Sequence, residues 1–295
     1  MIKKICHFLP GFFIDNYYKN LFKKQKVVDF DKYDLAILEC GWTVYLMFGI
    51  TKSIVYRQSD QYEVAFGSKR TYFKNTENKI YQRAISISSA LQAPFLPKEF
   101  LNKYSFWHSG FIPPAIFENC KHEKKFVYAG GGVLDYVLVK KIAKKYPDYT
   151  FLIVGKHRRP FLPENVTFCG FVPHKEYLQI ISSASVFIIP FTSGYGKTLH
   201  QQSYSAKIFV PMSIGMPILV KKHGSLQHTE KEKKLYAYDT HEVALMLLDK
   251  MIQEIELKTE NFNVSESTKE FLFSRRPEQK IKELHTYFEG VFSAI

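Results

Sequence analysis

The sequence has few cysteines, no long apolar run, little arginine and, over one stretch, no acid at all. Its four cysteines, Cys6, Cys40, Cys120 and Cys169, are scattered without a C-x-x-C pair. That excludes a disulfide framework and a cysteine zinc site, and it suits a reducing cytoplasm. No secretory signal is expected, because residues 5–14 are apolar but broken by His7 and Pro10 and lack a small-residue cleavage site. The longest apolar run, residues 42–50, is about half of what a membrane span needs. The formal net charge is +13 and comes mostly from lysine. Nucleic-acid recognition favours arginine forks, so no nucleic-acid partner is expected. Lysines alternating with Phe and Tyr suit instead an anionic membrane surface bound peripherally, or a plain solvated surface.

Two nucleotide signatures are also missing. Gly130-Gly131-Gly132 follows an apolar run, but the G-x-G-x-x-G spacing is absent and no acid ends the next strand. Ser193–Thr198 ends like a P-loop, yet the position that needs glycine holds Phe191. Asp29-Phe30-Asp31 has a metal-binding look but comes too early in the chain to follow a nucleotide-binding domain, so a charged turn is the better reading.

The chain is long enough for two domains with real cores. Residues 8–28 mix bulky aromatics with lysines, as an amphipathic helix packed on its own domain or an interfacial contact would. Short buried-type strands are expected at 34–39, 53–57, 84–88 and 104–107, with helices at 42–50, 76–83 and after Pro97. Pro113-Pro114 and a charge cluster mark a linker. The pattern then restarts, with strands at 125–128, 150–154, 166–168, 186–189, 218–220 and 235–238. Helices are expected from Asp135 to Tyr146, from Pro173 to Ser182, and at 240–257 and 277–290. This alternation describes an α/β protein: residues 1–112 as one Rossmann-like domain, 123–274 as a second, and 275–295 as a helix returning to the first.

The centre of the second domain is Val186–Val220. A strand stops at Pro190, a Gly-rich polar loop follows, then Lys207 on an apolar segment, Gly215-Met216-Pro217 and another strand. From Tyr177 to Thr229 there is no Asp or Glu, while Lys197, His200, Lys207, Lys221, Lys222, His223 and His228 are present. Strand-end N–H groups and lysines without carboxylates suit a phosphate.

With YAGGG, TFLIVG, LPENVTFCGFVPHKEYLQIISSASVFIIPF and SAKIFVPMSIGMPIL, residues 126–220 resemble the donor half of a GT-B glycosyltransferase. The first domain is similar to the bacterial glucuronosyltransferase family that builds xanthan-type exopolysaccharides. That family shows D-x-x-x-x-E-S-G and then Y-R-x-S-D; here the matching positions are Asp34, Glu39, Gly41, Tyr56, Arg57, Ser59 and Asp60. The resemblance implies a GT-B fold, two Rossmann-like domains facing a cleft, with the front of the N-terminal domain shortened. It implies Asp60 as catalytic base and Lys207 on the donor phosphate. Gly131 and Gly132 would face the pyrophosphate, Phe171 and Val172 the nucleoside, with Phe191 a ring beside it. Phe171 replaces a Glu of the family and Gly132 a Met, so glucuronate is not carried over.

The implied reaction moves a sugar from a nucleotide-diphosphate donor, UDP-linked, to a hydroxyl of a glycan or lipid-linked acceptor in bacterial exopolysaccharide or capsule synthesis. No metal or cofactor is expected, since Lys207 and helix N–H groups can take the leaving charge. With Asp60 as the base and no acid on the donor side, direct displacement with inversion is the economical course. Asp60 could also be a helix N-cap or a partner for Arg57, and Lys207 a surface lysine capping a helix. A non-catalytic nucleotide-sugar-binding or scaffold protein derived from a transferase is the second reading, and a P-loop kinase is a third. The expected location is cytoplasmic, on the inner face of the cell membrane.

Overall fold

The computed structural model describes residues 16, 20, 32–39, 42–58, 71–89, 96–106, 122–131, 134–192, 206–223, 226–257 and 263–293. The chain divides into two compact units, Met1–His108 with Thr286–Ile295, and Ser109–His285.

The first unit is built on four parallel strands in sequential order, β1 (Leu35–Glu39), β2 (Ser53–Gln58), β3 (Ser86–Ser89) and β4 (Tyr104–Phe106). Parallel neighbours need crossovers. Helix α1 (Thr71–Arg83) supplies one, and 3₁₀ turns at Trp42–Phe48 and Lys98–Lys103 supply the others. Ile80 and Tyr81 of α1 pack on Leu38, Ile54, Tyr56 and Ile87 to form the core. The carboxyl end of α1 is tied off by Lys103, whose Nζ donates to the carbonyls of Tyr81, Gln82 and Ala84 at 3.3, 3.1 and 2.8 Å. A cation on the last carbonyls offsets the negative end of the helix dipole. Near the chain's end, the Tyr287 hydroxyl donates to Ser86 Oγ at 2.7 Å, fastening residue 287 to β3.

The second unit holds β5 (Lys125–Ala129), β6 (Thr150–Val154), β7 (Val166–Gly170), β8 (Val186–Ile189), β9 (Ile218–Lys221) and β10 (Leu235–Tyr238), all parallel. Every residue of β8 and β10 is buried, which is why they read as unbroken apolar runs. Among the described residues, five helices, α2 (Tyr136–Lys145), α3 (His174–Ser183), α4 (Phe209–Ser213), α5 (His241–Leu257) and α6 (Glu266–Phe273), belong to this unit. The last helix, α7 (Pro277–Phe292), begins in it. Leu138, Val139 and Ile142 of α2, Ile181 of α3, Phe209 and Met212 of α4, and Ala244, Leu248 and Met251 of α5 enter one core with the strands. Each fully buried Leu, Ile, Val or Phe contributes about 1.5–3 kcal/mol.

Strand order is β10-β9-β8-β5-β6-β7. The first strand of the unit therefore lies inside the sheet, and the winding reverses between β5 and β8. In doubly wound sheets the ligand crevice lies beyond the carboxyl ends of the strands at that reversal. Both units are built on parallel α/β sheets, as the alternation of strands and helices in the sequence led us to expect. Four local expectations change. The helices at 42–50 and after Pro97 are 3₁₀ turns. The strand at 84–88 starts at Ser86, because α1 runs to Arg83. Helix α6, capped by Ser265 Oγ accepting from Thr268 N, was not anticipated.

Candidate functional site

At the reversal, the chain leaves β5 through Gly130 and Gly131 and leaves β8 through Pro190 and Phe191. Gly130 has φ +129°, a conformation that side-chain-bearing residues rarely adopt. Its N–H donates to Val154 O at 3.0 Å, while its carbonyl accepts from His157 Nε2 at 2.7 Å. The tyrosine before the turn, Tyr128, donates its hydroxyl to Gly131 O at 2.8 Å and meets the His157 ring edge-on. The turn is thus held by three groups, the Val154 carbonyl, the His157 ring and the Tyr128 hydroxyl. Gly131 is exposed, and a Cβ there would meet nothing within 4 Å.

Lys207 lies on that turn. A Cβ built on Gly130 would stand 2.3 Å from Lys207 Cε and 3.1 Å from Cδ, so the lysine stem fills the space a side chain would take. Its ammonium is 5.9 Å from the centre of the Phe191 ring, at the outer range of a cation–π contact. Phe191 is 4% exposed and meets the His223 ring edge-on at 5.9 Å. His223 follows β9; its Nδ1 lies 2.6 Å from Lys221 O. Burial, opposed by that hydrogen bond and aided by the charge of Lys207, holds its imidazole below the ordinary value of 6.5.

Three strand ends of the second unit therefore converge on one cation. Helix α2 could have been a rival anion site, since it starts five residues beyond Gly131. Its N-cap Asp135, however, accepts from Leu138 N at 3.0 Å and pairs with His241 Nε2 at 2.7 Å. A carboxylate already sits where the positive end of the dipole would attract an anion. The balance favours Lys207 and the Gly130 turn.

Of the residues singled out by sequence, Gly131, Phe191 and Lys207 are brought together here. Phe171 and Val172 follow β7, two strands from β5; Phe171 is 83% exposed and Val172 half-buried on the core. Gly132, Asp60 and the P-loop-like segment with Lys197 lie outside the described residues, as do Asp29-Phe30-Asp31 and nearly all of 8–28. Sequence reasoning noted Gly130 as part of the triple glycine but gave the pyrophosphate-facing role to Gly131 and Gly132, and it singled out neither His157 nor the buried state of His223, for which the sequence carried no signal.

In the first unit, the strand that runs towards Asp60 ends on a buried polar cluster. The Tyr56 hydroxyl donates to Glu77 Oε1 at 2.9 Å, and Gln58 Nε2 reaches Glu77 Oε1 at 3.3 Å and the Tyr81 hydroxyl at 2.9 Å. Glu77 is a buried acid spent on holding two residues of the Tyr56–Asp60 segment. Its geometry is that of a support for the strand end.

No protein-family model matches the sequence, and no curated protein matches it either. Solved structures do. Sucrose-phosphate synthase from Thermosynechococcus elongatus aligns with a TM-score of 0.65 and 14% identity, over 94% of this chain and 78% of that one. HepE of Anabaena, solved with UDP and glucose, aligns with a TM-score of 0.63 and 14% identity, over 94% and 81%. A point mutant of S. aureus TarM, solved with fondaparinux, alpha-GlcNAc-glycerol and UDP, aligns with a TM-score of 0.61 and 13% identity, over 85% and 55%. At such identities the likeness concerns the fold, and the fold these chains share is GT-B.

Proposed function

We propose that this protein is a glycosyltransferase that binds a UDP-linked sugar on its second unit and transfers the sugar to a hydroxyl of a glycan or lipid-linked acceptor. The observation that carries the reading is Lys207 laid against Gly130 at the reversal of the sheet. A backbone turn without side chains, beside a cation, fits a diphosphate. HepE was also solved with UDP-glucose, a donor of this class. On this reading Gly131 and Gly132 face the pyrophosphate, Phe171 and Val172 flank the nucleoside, and Phe191 is a ring beside it.

The chemistry needs a base for the acceptor alcohol and a cation for the leaving diphosphate. Lys207 is the cation. Asp60 is the proposed base; it lies two residues beyond β2 in the sequence, and Glu77 secures the end of that strand through Tyr56 and Gln58. The acceptor oxygen attacks the anomeric carbon, Asp60 takes its proton, and the bond to UDP breaks, with inversion. No metal is called on, because Lys207 takes up the leaving charge. A role in bacterial surface polysaccharide synthesis at the membrane face is part of the proposal, resting on the excess of lysine and the first-domain motif.

The test is a pair of measurements on two variants. Lys207→Ala should weaken UDP binding ten- to hundredfold, as losing a charge-assisted contact of about 1.5–3 kcal/mol requires. Asp60→Asn should bind UDP-sugar as the unaltered protein does while its transfer rate falls at least about a hundredfold. Unchanged UDP binding by Lys207→Ala would place the diphosphate elsewhere. Donor binding without any turnover would favour a non-catalytic binding protein.

A further inference from the structure

We propose that His223 reads the transferred sugar: its Nε2 accepts a hydrogen bond from a hydroxyl of that sugar. The inference rests on the donor-site reading above and goes beyond it. Nδ1 lies 2.6 Å from the Lys221 carbonyl, which can only accept, so Nδ1 carries the proton and Nε2 holds a bare lone pair. The side chain is 1% exposed, and Nε2 has no hydrogen-bond partner among the described residues. A buried acceptor left in that state is unfavourable. Its setting shows what would satisfy it. The His223 ring and the Lys207 ammonium each lie 5.9 Å from the centre of the Phe191 ring, and the charge of Lys207 acts on the imidazole, so a ligand seated on the ammonium is a neighbour of His223 across that ring.

The chemistry of the lone pair narrows the partner. The diphosphate group of a nucleotide-sugar is ionised near neutral pH and offers acceptors only, so it cannot donate to a bare nitrogen. A hydroxyl can. The strand order then separates the sugars. Phe171 and Val172, on the proposed nucleoside side, follow β7, two strands from β5 in one direction; His223 follows β9, two strands from β5 in the other. With the diphosphate on the Gly130 turn, the ribose lies towards β7 and the transferred sugar towards β9.

Calorimetry with UDP and with UDP-glucose, UDP-galactose and UDP-N-acetylglucosamine tests this on the full chain. His223→Phe keeps the ring and removes the lone pair; His223→Gln keeps an acceptor at the position of Nε2. The expected result is a shift of about tenfold in the ratio of the UDP and UDP-sugar dissociation constants for His223→Phe, against the sugar. UDP affinity itself stays the same, and His223→Gln restores most of the ratio. Equal weakening of UDP and UDP-sugar, or no change in either, overturns the assignment. Should His223→Phe fail to fold, the Nε2 resonance of ¹⁵N-labelled unaltered protein decides. It should move on adding UDP-sugar and stay in place on adding UDP, and the reverse overturns the proposal. An unaltered protein that binds neither UDP nor any UDP-sugar refutes the donor site itself, a failure distinct from a silent His223.

Discussion

Replacing Gly130 by alanine should displace Lys207 without touching the lysine. The added methyl would stand 2.3 Å from Cε, well inside contact distance, and Cε is the far end of a flexible stem. The stem will therefore give way, and the ammonium will leave its place over the turn. The backbone has a separate difficulty, since φ +129° is close to glycine-only territory and costs a side-chain-bearing residue about 1–3 kcal/mol. In a domain of this size each kcal/mol lowers the melting temperature by about 2–4 °C, so the variant should fold with a lower midpoint. Its UDP affinity should fall about tenfold or more, approaching that of Lys207→Ala. The decisive arm is the double variant. If Gly130→Ala acts by moving the lysine, then combining it with Lys207→Ala adds little, because the contact can be lost only once. Calorimetric titration of UDP into the four proteins gives the coupling. Additive losses, or a Gly130→Ala protein that binds UDP like the unaltered one, would show that the stem's position on the turn has no bearing on the ligand.

Other expectations concern stability and surface. Asn165 Nδ2 donates to the carbonyls of Ala143, Tyr146 and Tyr149 at 2.9, 3.2 and 2.9 Å, closing the end of α2; Asn165→Ala should cost about 1–3 kcal/mol, measured by urea unfolding. A loss below a few tenths of a kcal/mol would mean water replaces the amide freely. His122 and His223 are both held below their ordinary value of 6.5, chiefly by burial. Below that value the unfolded chain takes up protons that the folded chain refuses, so stability is full above about pH 6.5 and falls as the pH drops towards the folded-state values. The slope is at most about 1.4 kcal/mol per pH unit for each proton. A His122→Gln/His223→Gln protein should lose less on acidification from pH of about 7 to about 5.5, and equal losses would refute the assignment. With a net charge of +13, the protein should sediment with anionic vesicles at low salt and be released near 1 M salt, where the screening length is about 3 Å. Failure to sediment at low salt would remove the membrane partner.

The second unit was easier to foresee from sequence than the first, for a physical reason. Strands covered on both faces must be apolar throughout, so VFII and LYAY announce themselves, and a glycine or proline closes most of them. Those six strands lie where the runs lie. In the first unit, Trp42–Phe48 has the apolar content of a helix, but a short crossover between β1 and β2 accommodates it as a tighter 3₁₀ turn. Helix α6 is short and polar, and Ser265 three residues before Thr268 was its only mark. For the site, the glycine turn and Lys207 were each readable alone. Their contact was not, because nothing local couples two positions so far apart in the chain. His223 is the clearer lesson. In the sequence it is one more base among lysines; in the fold it is a buried neutral ring, and only packing makes that difference.

A Cβ on Gly155, at the end of β6, would stand 2.6 Å from Gly130 O, as a Cβ on Gly130 would stand 2.3 Å from Lys207. Peptide, peptide and lysine stem are thus stacked with no spare thickness. A pocket lined by side chains can be enlarged by trimming one of them, but here two of the layers are main chain and the third is the stem of the lysine proposed to hold the diphosphate. Substitution of either glycine can only narrow the site. Room for a larger donor, whether found by selection or by an engineer, has to be opened at the β8 and β9 ends, where Phe191 and His223 supply atoms that can be removed.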